Sequence, residues 1–319
     1  MNPAIRLAAG AALLLSGCGL SPVQKDQVAA FASATAQVGA ATAAQFTQLR
    51  QDVVEMNADE LALGDPRQLN PYTFRFDEPL GAEPITRRVL AVNALQAYGE
   101  ALDKLAGADQ SAGIRQSATD LVSSFNAAAA ADLTSAQQAS AADLVASLGG
   151  FFVEYQKKRA VAKIVRSYAC PVDQLAQLLE RDFLNFGTDD DARLRPYQPS
   201  PVLAGCPFHS PRGDRAVGVL YGYESVAGRL KNAAANVLSG NAPFDKRQRA
   251  TAALLRATRN LDKGQAVGEG AGKALRALRK ANAGLVQSVG DDQLRVEDIK
   301  AYAAAAKQLL ASLKVLANR

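Results

Sequence analysis

The sequence predicts an all-α protein, an elongated helical bundle with coiled-coil-like long helices and two Pro-rich loops. Three observations carry that prediction. Alanine fills 64 of 319 positions, and aromatic residues only 6 %, with no Trp. Small side chains suit close helix-on-helix packing, whereas strands draw on Val, Ile, Tyr and Phe. Apolar residues recur at alternating three- and four-residue steps, the spacing of one helix face. Nine of the 13 prolines fall in two clusters, Pro66 to Pro84 and Pro196 to Pro211, and helices do not run through such clusters. Apolar content of 48 % with 21 % charge supports a packed core and excludes general disorder.

The first helix is expected over about residues 23–61. Val28, Phe31, Val38, Leu49 and Met56 form its stripe, with Thr35 and Thr42 filling gaps. Gln45 interrupts the stripe, and Phe46 suggests a local shift of register. Residues 64–85 form a loop in which Tyr72-Thr73-Phe74-Arg75-Phe76 alternates; it reads as an extended strap laid across helices or as an isolated β-like stretch packed by its two Phe rings, the latter favoured. Thr86 suits the N-cap of a helix carrying Val89, Val92, Leu95, Leu102 and Leu105. A short helix follows near residues 114–131, then one from Thr134 to about Tyr168. Pro171 is expected to break it, after which Val172, Leu175, Leu179 and Phe183 continue a stripe.

Residues 187–212 form the second connection. Helix resumes over about residues 214–238, then turns at Gly240-Asn241-Ala242-Pro243. The next helix is expected to end near Leu261, because Gly264, Gly268, Gly270 and Gly272 follow closely. Another runs to about Val289. A last one carries the stripe Ile299, Tyr302, Ala306, Leu309, Leu313 and Leu316. Lys300, Lys307 and Lys314 repeat every seven residues on its other face.

The N-terminus reads as an address. Arg6 and the free amine precede Leu7 to Leu15, a nine-residue uncharged run. That is far short of the roughly 20 apolar residues that span a bilayer, and it reads as a secretory signal. Leu15-Ser16-Gly17-Cys18 resembles the lipobox of bacterial lipoproteins. The resemblance covers only this N-terminal stretch. It implies cleavage before Cys18, diacylglycerol on its sulfur and acylation of its new amine. The acyl chains then tether the protein to the lipid bilayer. Gly19, rather than Asp, follows the Cys. The resemblance therefore implies the inner leaflet of the outer membrane, facing the periplasm, with the inner membrane or cell surface as alternatives.

With Cys18 acylated, Cys170 and Cys206 remain in an oxidising compartment. A disulfide between them is the expected reading. The chain thus divides into a signal peptide (1–17), an N-terminal long-helix bundle (18–187), a Pro-rich loop pinned by the disulfide (188–213) and a basic helical segment (214–319).

Charge divides as well. Residues 18–215 carry 18 Lys and Arg against 23 Asp and Glu; residues 216–319 carry 17 against eight. Lys246 to Lys280 is densest, with ten cations facing only Asp262 and Glu269. Arg249, Arg256, Arg259, Lys263, Lys273, Arg276 and Lys280 are its candidate anion- or partner-binding residues. The alternative is a solvated face, partly neutralised by the acidic half. Lys157, Lys158, Arg159, Lys163 and Arg166 form a second cluster, read as a packed amphipathic helix or a membrane-surface face. A periplasmic address argues against nucleic acid, despite a pI near 9.1.

Signals for catalysis are sparse. Gly268-Glu269-Gly270-Ala271-Gly272-Lys273-Ala274 partly resembles a phosphate-binding loop, but Val267 and Ala274 stand where Gly and Ser or Thr are needed. Asp189, Asp190 and Asp191 diverge in direction and lack EF-hand spacing. His209 is the single imidazole and has no evident partner. Lytic transglycosylases use a catalytic Glu commonly followed by Ser, and Glu224-Ser225 is the one such pair, without the surrounding family motifs. No cofactor and no metal site is expected. The composite expectation is a non-catalytic envelope scaffold, adaptor or accessory subunit, with an envelope protein partner or self-association. An anionic lipid- or glycan-binding module is the alternative, and a wall-cleaving enzyme the third.

Overall fold

The structure, a computed structural model, describes residues 20–64, 74–107, 111–129, 154–183, 203, 218–291 and 296–317. Among these residues there are seven helices and no strand, so the chain is an all-α bundle. They are α1 (Pro22–Leu63), α2 (Ala82–Gly107), α3 (Ser111–Ala129), α4 (Glu154–Asp182), α5 (Val219–Ser239), α6 (Phe244–Asp291) and α7 (Val296–Ala317).

The start of α1 is set locally. The Ser21 backbone N–H donates to Gln24 Oε1 at 2.9 Å, and the Gln24 N–H donates to Ser21 Oγ at 3.2 Å. This reciprocal cap, followed by Pro22, satisfies two donors that a helix start leaves open. At 42 residues α1 is about 63 Å long. Its expected stripe is buried throughout, including Thr35 and Thr42. Gln45 does not leave the stripe: it is buried beside Phe46.

The antiparallel α1–α2 contact uses small residues. A Cβ on Gly99 would lie 2.5 Å from the Ala32 carbonyl oxygen, and one on Gly39 would lie 2.9 Å from the Gln96 backbone nitrogen. Bare backbone is what allows the two helices to touch.

Four expectations are corrected by tertiary contact. Residues 65–73 of the expected strap lie outside the described residues; in the described part Phe74 and Arg75 lead into a turn at residues 76–79 rather than extended chain, and the Phe74 and Phe76 rings pack edge-on at 5.1 Å. Asn57 Nδ2 donates to the carbonyls of Phe76 (2.7 Å) and Glu78 (2.8 Å), which supports the turn. Thr86 is not a cap. It lies inside α2, where its hydroxyl donates to the Ala82 carbonyl.

Pro171 does not break its helix; α4 runs through it. Losing one backbone bond costs about 3 kcal/mol. The stripe Ile164, Val165, Val172, Ala176 and Leu179, all fully buried, offsets that cost. Nor do the glycines divide α6, which is one helix of 48 residues, about 72 Å long. Cβ atoms on Gly264 and Gly270 would sit 3.3 Å from Leu220 and Leu309. These glycines are close-contact points for α5 and α7.

One continuous core draws on all seven helices. Phe31 sits at its centre, 5.5 Å from the Tyr302 ring and 6.2 Å from that of Tyr98. Tyr302 closes the core by donating to Thr35 Oγ1 at 3.2 Å. Among the described residues no helix is long and apolar enough to cross a membrane.

Candidate functional site

The basic helix α6 lies antiparallel to α1, and that placement decides the fate of its cations. Arg256 pairs with Glu55 and Asp59, both at 3.3 Å. Lys263 Nζ reaches Asp52 at 2.6 Å. Arg276 pairs with Glu180 at 3.1 Å, and Lys280 with Asp298 at 2.8 Å. Arg279 pairs with Asp173, whose side chain is fully buried. Four of the seven candidate binding residues therefore face carboxylates of the same chain. Arg249, Arg259 and Lys273 are exposed and have no acidic partner among the described residues.

The pairs are not equal. Arg256 and its partners are well exposed, so water and salt screen them. Lys263 and Asp52 are mostly buried. Asp52 also accepts the Tyr223 hydroxyl at 3.2 Å and Gln48 Nε2 at 2.8 Å. Burial first, then the Asp52 and Glu224 charges, pushes the Tyr223 phenol far above its ordinary value. A phenol so placed stays a donor. The cluster thus works as a fixed joint between α1, α5 and α6.

Glu224, the single candidate for glycan cleavage, lies on α5 against Gly264 of α6. Neither of the two described hollows includes it. The Gly268–Lys273 segment is helical, with Gly268 and Gly272 buried, so it forms no phosphate-binding loop. Asp189, Asp190, Asp191 and His209 lie outside the described residues, as do Cys18 and Cys206. Cys170 is disulfide-bonded. Leu203 is buried against Ala169, with Cys170 packed beside them. No group of three His, Cys, Asp or Glu among the described residues could hold a metal ion.

What the structure adds is the far end of the α5–α6 hairpin. Arg256 is level with Glu55 and Asp59. From there α6 continues 12 residues to Phe244, while α1 continues only to Leu63. At 1.5 Å per residue the hairpin projects roughly 9 Å past α1. Phe244 is 83 % exposed and Leu255 60 % exposed, high values for large apolar side chains. Arg247, one turn from Phe244, and Arg249 are also exposed, while Leu255 sits back at the level of Arg256. Below the projection, Asn57, Phe74, Arg75, Glu78 and Arg229 line an open hollow of about 360 Å³. Arg229 donates to Asn57 Oδ1 at 3.1 Å and pairs with Glu60 at 3.4 Å.

Sequence reading picked out Arg249 but not Phe244. The available signal was an aromatic residue directly after the turn at Gly240–Pro243. Asn57 gave no signal, because its partners are carbonyls some 20 positions along the chain.

No family model matches this chain, and no curated protein or solved structure matches it either.

Proposed function

We propose that this protein is a lipid-anchored envelope scaffold or adaptor, held by an acylated Cys18 and acting by contact rather than catalysis. The resemblance of Leu15-Ser16-Gly17-Cys18 to a lipobox supports the anchor. The Gly after the Cys supports placement on the inner leaflet of the outer membrane. A disulfide between Cys170 and Cys206 belongs to the same reading. The bonded state of Cys170, and the packing of Leu203 on Ala169, favour it.

The observation that carries the adaptor reading is the projecting hairpin end. Cys18 is four residues before α1, and the hairpin tip lies beyond its other end, about 63 Å away along the helix. At this tip, on the side farthest from the anchor, Phe244 is exposed, and Arg247 and Arg249 are exposed with no acidic partner among the described residues. Aromatic and Arg side chains are the groups that dominate protein interfaces. The middle of α6 is a poorer candidate, since its cations already hold α1 and α4.

A photo-cross-linking residue in place of Phe244 tests this in intact cells. A discrete envelope-protein adduct is expected, lost when Arg247 and Arg249 are both changed to Glu. Capture from position 273, with none from 244, would move the contact to mid-α6. Adducts to a second copy of this chain would make the surface one of self-association. The hollow with Arg75 and Arg229 is the place for the second reading, an anionic lipid or glycan ligand, which would have to compete with Glu78 and Glu60 for these two cations. Co-purification of such a molecule, with no protein adduct, would select it.

A further inference from the structure

The opposite end of the bundle carries a different set of features. A hollow lined by Leu20, Val28, Lys158, Val161 and Leu285 brings together the starts of α1 and α4 and the end of α6. Residues 157–166 contain five cations and no acid. On α4, Arg159, Lys163 and Arg166 are spaced four and three residues apart, and all three are exposed on one face. Lys163 and Arg166 have no acidic partner among the described residues. Val23, on the first turn of α1, is 58 % exposed at the same end. Of the exposed acids toward this end, Asp26, Asp103 and Glu297 each have a Lys within three positions (Lys25, Lys104 and Lys300), whereas Glu100 on α2 and Asp120 on α3 do not.

We infer that this end is a second membrane contact, in which the α4 cations dock on anionic phospholipid headgroups and fix how the bundle stands on the bilayer. The inference rests on the lipid-anchor reading. Cys18 stands only four positions before Pro22, so the acylated residue lies within about 14 Å of the start of α1. The surface facing this end is then the bilayer that holds the acyl chains. The hollow, at about 20 Å³, takes one water and excludes an acyl chain. The lipid therefore sits in the membrane rather than in the protein. Charge complementarity supplies the rest, because Lys and Arg near an anionic surface attract it within a Debye length.

The test uses the acylated full-length product reconstituted in vesicles. A fluorophore on Ala162→Cys, on the outer side of α4, reports proximity to nitroxide-labelled headgroups. Flotation of the vesicles reports the anchor separately. Strong quenching is expected on vesicles rich in phosphatidylglycerol. It should weaken on zwitterionic vesicles or at high salt. Lys163→Glu with Arg166→Glu should shift the docked population at least about tenfold, with unchanged helical content. Flotation with quenching indifferent to lipid charge and to the double variant overturns the inference and leaves the anchor standing. Failure to float on zwitterionic vesicles sinks the anchor. Charge-dependent flotation on anionic vesicles alone would then still support the basic face, and no flotation on either would overturn both.

Discussion

Single residues hold this bundle where elements meet at awkward angles. Asn57 shows the principle. It is buried, donates to two carbonyls of the turn after α1, and accepts from Arg229 of α5. Truncation to Ala would leave both carbonyls short of a donor, at a cost of about 2–3 kcal/mol. Asn57→Asp keeps the acceptor for Arg229 but replaces both donors with oxygen facing oxygen. Urea denaturation should find it less stable than Asn57→Ala. If Asn57→Asp matches the parent protein, the turn is held by something else. Gln45 has no such network: its buried Nε2 has no hydrogen-bond partner among the described residues.

At the scale of elements, glycine position decides sign. On α2, a Cβ at Gly99 would meet the α1 backbone at 2.5 Å, and backbone cannot swing aside. Gly99→Ala should therefore cost at least about 2 kcal/mol, through separation of α1 from α2. On α5, a Cβ at Gly228 would meet nothing within 4 Å. Gly228→Ala should add up to about 1 kcal/mol, because Ala loses less entropy than Gly in a helix. Thermal unfolding of the two single variants separates them, and equal effects would contradict this account of the contact. Pro171 and Gly264 follow the same logic from the other direction. Each is a poor helix residue that the surrounding helices keep within one.

For the whole molecule, the acidic N-terminal and basic C-terminal halves meet as ion pairs across α1, α4 and α6, over a core closed by tyrosines. Burial pushes the Tyr168 phenol up to about 12, and those of Tyr98, Tyr223 and Tyr302 further. In the unfolded chain a phenol ionises near pH 10. The folded state thus keeps protons that the unfolded state loses. Stability from these groups is fully present below about pH 10 and falls as pH rises through the folded values. An absorbance titration followed beside helical circular dichroism should show four phenols ionising only as the helices melt. Ionisation of all eight tyrosines before any loss of helix would contradict the buried placement.

Much of this was legible in the sequence, and the reasons separate cleanly. Ala content, apolar spacing and Pro clusters fixed the helical class and the α1 stripe from Val28 to Met56, because periodicity is a local property of the chain. Ser21, Pro22 and Gln24 encode the start of α1 within four residues. Charge asymmetry was equally visible, but its use was not. Whether Arg256 and Lys263 face solvent or Asp52, Glu55 and Asp59 depends on α6 lying antiparallel to α1, some 200 positions away. Continuity through Pro171 and Gly264 likewise depended on packing that offsets a local penalty. Phe244 became notable only when the hairpin was seen to outrun α1. Helix periodicity and address signals are short-range and survive in one dimension. Pairing, close approach and exposure are set by which distant helices share the core, and only the tertiary structure decides that.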